Sequence, residues 1–84
     1  MKKYLLILNA GSSSLKFAVF AVDKTLGKEV LSGSISLLAG KSVLTYGKTR
    51  INIATGYNLK TWWSYLEEVL EDYNISYVGF RMVH

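Results

Sequence analysis

Two apolar runs joined by a short polar turn set the strongest constraint on this chain. Tyr4-Leu5-Leu6-Ile7-Leu8 leads into Asn9-Ala10-Gly11-Ser12-Ser13-Ser14-Leu15-Lys16, and Phe17-Ala18-Val19-Phe20-Ala21-Val22 leads out. Residues 4–8 and 15–22 read as two strands. Near-continuous apolar character predicts strands covered on both faces. The turn gathers backbone N–H groups and hydroxyls at one point with a lysine beside them, a combination suited to a phosphate. It equally suits an ordinary hairpin loop, because Gly and Ser are common turn residues.

The remainder reads β-β-β-β-β-α-β. Asp23 to Lys28 is a polar turn region. Residues 29–38 make a third strand, with Val30, Ser32, Ser34 and Ser36 on one side and the more apolar Leu31, Gly33, Ile35 and Leu37 on the other. Ala39-Gly40-Lys41 turns the chain. Residues 42–46 and 49–54 flank Gly47-Lys48, a two-residue hairpin turn with Gly first. Leu59, Trp62, Trp63, Leu66, Val69, Leu70 and Tyr73 recur at helical spacing, with Asn58 placed to cap the helix start. That stripe predicts core packing. The opposite face, with Glu67, Glu68, Glu71 and Asp72, predicts a solvated surface. A last apolar run, Val78 to Val83, contains Arg81, and a buried, unpaired charge there would be costly.

Half of the 84 residues are hydrophobic, enough for a core, although a chain this short buries only about 60–65% of its unfolded surface. It has no cysteine, hence no disulfide or thiolate metal site, which fits a reducing cytoplasm. The start, Met1-Lys2-Lys3 and five apolar residues, is too short for a secretory signal, and no stretch approaches the ~18 apolar residues of a membrane span. The net charge of +4 is uneven: residues 1–60 hold nine Lys/Arg against two Asp/Glu, and residues 61–84 hold one against four. The lysines are scattered, unlike the clustered basic face of a nucleic-acid binder, so neither nucleic acid nor membrane is an expected partner. The spacing of a Walker phosphate loop and of a Gly-x-Gly-x-x-Gly dinucleotide fingerprint are both absent.

The order of residues in the turn says more than its composition. Leu-Asn-Ala-Gly-Ser-Ser-Ser-Leu-Lys-Phe, residues 8 to 17, resembles the N-terminal signature of the acetate kinases, in the fold group of actin, the heat-shock chaperone ATPases and the sugar kinases. Butyrate kinases usually carry proline at the position of Ala10, so acetate and propionate kinases fit better. Val78-Gly79-Phe80-Arg81-Met82-Val83-His84 resembles a second segment of the family, Val-Gly-His-Arg-Val-Val-His followed by Gly-Gly. Phe80 and Met82 depart from it; Arg81 and His84 are kept.

The resemblance implies an α/β fold, the start of a ribonuclease H-like, actin-like ATPase domain with strands, one amphipathic helix and a return strand. It implies that residues 1–84 form part of an N-terminal domain, the rest of that domain and a second one being absent. The activity implied is ATP plus acetate to ADP plus acetyl phosphate, with Mg2+, in a cytoplasmic enzyme that is a homodimer at full length. The small-molecule substrate is acetate or another short carboxylate. By the same resemblance Asn9 helps place the magnesium–phosphate group, Ser12, Ser14 and Lys16 lie near the nucleotide phosphates, and Arg81 engages the carboxylate or acyl phosphate. The family's catalytic carboxylates lie outside these residues, so no catalytic residue is assigned and the 84-residue chain alone is expected to be inactive. Two alternatives stand beside this reading: a propionate kinase piece, or a non-catalytic remnant acting as an interaction module.

Overall fold

A computed structural model describes residues 2–11, 13–23, 26–55 and 59–82. Its elements run β1 (Lys3–Ala10), β2 (Ser14–Val22), β3 (Leu26–Leu38), β4 (Lys41–Tyr46), β5 (Thr49–Thr55), α1 (Leu59–Val69) and β6 (Ile75–Met82). The strands form one mixed sheet in the order β5-β4-β3-β2-β1-β6. Strands β1 to β5 form an antiparallel meander. The chain then crosses through α1 and returns beside β1 as the parallel strand β6. A parallel return of this kind needs a crossover connection, and the helix provides it.

The turns follow from local chemistry. Ala39 and Gly40 both have positive φ, 50° and 78°, between the paired residues Leu38 and Lys41. Two left-handed residues are what a two-residue I′ hairpin demands. Gly47 has φ 56° and Lys48 does not, between Tyr46 and Thr49, as a turn with Gly in first position requires. Strand β3 starts at Leu26, three residues before the expected Glu29, because Leu26 pairs with Val22 across two register shifts. Gly27 permits that approach: a Cβ there would stand 2.8 Å from the Ala21 carbonyl oxygen.

The core lies on one side of the sheet. Leu6 and Leu8 of β1, Leu15, Phe17 and Val19 of β2, Ile35 of β3 and Leu44 of β4 are buried against Trp62 and Leu66 of α1 and Leu70 just beyond it. Full burial of each such side chain contributes roughly 1.5–3 kcal/mol. The expectation of strands covered on both faces does not hold. Leu5, Ile7, Ala18 and Phe20, on the other face, are only half-buried, since α1 covers one side.

The helical stripe also needs correction. Trp62 is 1% exposed and Trp63 is 42% exposed. Adjacent helical residues point about 100° apart, so one of them must leave the centre of the stripe. Trp62 is fixed inward by its indole N–H, which donates to the buried Ser42 Oγ at 2.6 Å. Tyr73, expected on the stripe, lies beyond the helix and packs edge-on against Tyr4, ring centroids 5.1 Å apart. The proposed cap Asn58 lies outside the described residues. No helix among the described residues is long and apolar enough to cross a membrane.

Candidate functional site

The helix-free face carries the polar residues that the sequence singles out. Cross-strand partners in a sheet share a face, and the register places Asn9 opposite Lys16 on one side and opposite Arg81 on the other. Lys16 in turn faces Ser34, Ser34 faces Thr45, and Thr45 faces Arg50. The result is a lane of polar side chains, Arg81-Asn9-Lys16-Ser34-Thr45-Arg50, running across all six strands at the turn end of β1. Neighbouring strands are about 4.8 Å apart, so Lys16 and Arg81 flank Asn9 with their backbones roughly 10 Å from each other. Ser14 lies two residues along β2 from Lys16, on the same face, opposite Ser36.

Local structure explains this placement. Leu8 and Ala10 point to the core side, so Asn9 between them points away. The same alternation sends Leu15 and Phe17 inward and Lys16 outward, and Lys16 is exposed. Asn9 and Ser14 are half-buried. Arg81 is exposed, so the cost of burying an unpaired charge is not an argument for it. Its position beside Asn9 is the relevant observation. Ser12 and His84 lie outside the described residues.

The turn is partly closed on itself. The Gly11 N–H donates to the Ser14 carbonyl at 2.9 Å, and the Leu37 N–H donates to the Ser13 carbonyl at 3.0 Å. These bonds tie the turn to the end of β3 and hold its shape. They also commit the Gly11 donor, one of the backbone groups expected to be open to a phosphate. The reading of Asn9 as a turn cap finds no support among the described residues, where its side chain makes no hydrogen bond.

A groove of about 340 Å³ opens on this face, lined by Asn9, Lys16, Phe17, Ala18, Glu29, Ser32, Gly33 and Ser34. A larger hollow of about 680 Å³, against Lys2, Lys3, Ala21, Val22, Asp23 and Tyr77, lies at the opposite end of β1 and meets none of the predicted residues. The sequence singles out Asn9, Lys16 and Arg81, and the register adds Ser34, Thr45 and Arg50 to the same face. The Gly47-Lys48 turn signals the pairing of Thr45 with Arg50. The turn expected over Ala39-Gly40-Lys41 is two residues long, with Lys41 already paired to Leu38, and this sets Ser34 against Thr45.

The lane suits a phosphate chain. Two cations stand either side of an amide, with hydroxyls next to them, and charge-assisted bonds to phosphate are the strong ones. For Mg2+ the face offers the Asn9 amide oxygen and hydroxyls. Among the described residues no group of three or more His, Asp or Glu side chains is placed to hold a metal. Such a set fits a magnesium ion that arrives with the phosphates and keeps most of its water, the usual mode for this ion.

No protein-family model and no curated protein matches the chain. Among solved structures, the crystal structure of a propionate kinase from Francisella tularensis subsp. tularensis SCHU S4 is similar, with a TM-score of 0.76 and 24% identity. The match covers 98% of this chain and 23% of that one, so the chain spans about a quarter of its neighbour's length. At that identity the likeness shows the fold: a mixed six-stranded sheet with one helix, as found in a stretch of a kinase.

Proposed function

We propose that this chain supplies one wall of the active site of an ATP-dependent kinase acting on a short carboxylate, in the manner of the acetate kinases. The observation that carries the reading is the placement of Asn9 between Lys16 and Arg81 on one open face. The reaction joins a carboxylate oxygen to the γ-phosphorus of ATP and breaks that phosphorus's bond to the bridging oxygen, which leaves on ADP. Both reactants are anions, so the protein must offset charge and hold them in line. In this reading Lys16 and the Ser12 and Ser14 hydroxyls bind the phosphates. Arg81 takes the carboxylate, and its planar fork suits two oxygens at once. Asn9, between them, orients the magnesium–phosphate group. Bound Mg2+ would neutralise phosphate charge.

Propionate is as good a candidate acceptor as acetate, since the structural neighbour is named as a propionate kinase. The test is acyl phosphate formation, trapped as the hydroxamate, by the protein that carries this segment, with ATP, Mg2+ and each acid. Turnover with either acid supports the proposal, and the ratio of efficiencies assigns the acceptor. No acyl phosphate from either acid overturns it. The 84-residue chain alone, with a single cleft wall, should show none above background, because positioning from two sides provides much of the rate.

A further inference from the structure

Beyond the residues that the turn motif supplies, β3 places a hydroxyl at the same point. We propose that Ser34 is a further phosphate-positioning residue, donating its hydroxyl to the anion that Lys16 holds. The inference rests on the reading of Lys16 given above and extends it to an element outside both sequence motifs.

Ser34 is the direct cross-strand partner of Lys16. It is half-buried, lines the same groove as Asn9 and Lys16, and its hydroxyl makes no hydrogen bond among the described residues. Partners of this kind have Cβ atoms about 5 Å apart, so one phosphate oxygen cluster can meet both groups. The chemistry is complementary. The lysine ammonium is a mobile point charge, while a serine on a strand offers a short, directed donor.

The register behind this pairing is locked from the other face. Gly33 sits opposite Phe17 and next to Tyr46, and a Cβ at residue 33 would lie 2.6 Å from the Phe17 ring and collide with the Thr45 carbonyl. A one-residue slip of β3 would bring a side chain into that contact and turn Ser34 toward the core. Glu29 lines the groove too, but it pairs with Phe20, four residues along β2 from Lys16 or roughly 13 Å away. Its backbone is thus at the far end of the groove from Lys16.

The test is a titration of the 84-residue chain with tripolyphosphate, read by phosphorus NMR. It uses Ser34→Thr and Ser34→Val, which share shape and strand propensity and differ in the hydroxyl. Ser34→Val should bind about tenfold more weakly than Ser34→Thr, with Ser34→Thr near the parent chain and Ser64→Ala, on the helix, unchanged. Equal affinity of Ser34→Thr and Ser34→Val, with Lys16→Ala still weakened, overturns the role of Ser34 and leaves that of Lys16. Absence of any binding by the parent chain overturns both.

Discussion

Asn9 and Arg81, 72 positions apart in sequence, are direct partners in the parallel pairing of β1 with β6. This pairing turns two separate motifs into one surface. A strand that returned on the other edge of the meander would have left Arg81 five strands from Asn9.

The juxtaposition makes a kinetic prediction for a protein in which this segment works with a second cleft wall. Arg81→Ala should remove a two-pronged, charge-assisted contact to the carboxylate or acyl phosphate. Such a contact is worth roughly 1.5–3 kcal/mol, or about tenfold to a hundredfold in kcat/KM for the acid. Arg81→Lys should restore part of it, since an ammonium lacks the fork. Wild-type efficiency in Arg81→Ala would return Arg81 to the status of an exposed strand-edge charge.

Lys16→Ala should act on the other substrate. Lys16 borders Asn9 from the β2 side, next to Ser34 rather than Arg81. Its loss should therefore raise the KM for ATP by about tenfold or more while changing that for the acid much less. Steady-state kinetics with each substrate varied in turn separate the two effects. Equal changes for both substrates would contradict the division of labour between the two cations.

Much of this arrangement was legible in the sequence. Alternation alone sends Asn9 and Lys16 to one face, and the Gly47-Lys48 turn sets Thr45 against Arg50. Three features were not legible, each for a physical reason. The register of β6 on β1 shifts between Tyr4 and Leu5, so counting from the helix could not pair Arg81 with Asn9. The β2–β3 ladder shifts twice, which hid Ser34 from the same kind of count. Both tryptophans fit an apolar stripe by spacing. The fold distinguishes them by burying Trp62 in the core cluster and bonding its indole to the Ser42 hydroxyl, which β4 brings under the helix.

That hydroxyl gives a stability prediction. Ser42 is fully buried and accepts the Trp62 indole N–H. Ser42→Ala removes one acceptor beneath the helix and should destabilise the chain by about 1 kcal/mol. Denaturant unfolding followed by tryptophan fluorescence measures it. An unchanged midpoint would mean that the indole exchanges this partner without loss.

The Ala39-Gly40 turn offers the opposite change. Ala39 holds φ 50° on an exposed hairpin, a conformation that costs an L-residue with a Cβ roughly 1–2 kcal/mol. Asparagine tolerates it better and leads the I′ turns ahead of Gly. Ala39→Asn should raise the melting temperature by about 4 °C for each kcal/mol recovered, or somewhat more. A lower melting temperature would show that the Ala39 methyl contributes more than its backbone strain costs.

The last prediction concerns the sheet edge at β6. Val78 and Phe80 pair with Leu6 and Leu8 and so lie on the core side, yet they are 61% and 64% exposed. They lie beyond the buried cluster, which on β6 takes in Ile75 at the start of the strand. Tyr77 on the other face is 49% exposed. An edge strand combines such apolar surface with unpaired backbone groups, the combination that drives association. The 84-residue chain should therefore self-associate with rising concentration in sedimentation velocity and bind an apolar dye. Phe80→Glu should reduce both signals without lowering the unfolding midpoint, because the ring it removes is mostly in water. A compact monomer at every concentration, with no dye binding, would contradict this account of the edge. Association unaffected by Phe80→Glu would move the contact to another surface, with the exposed Trp63 as the next residue to replace.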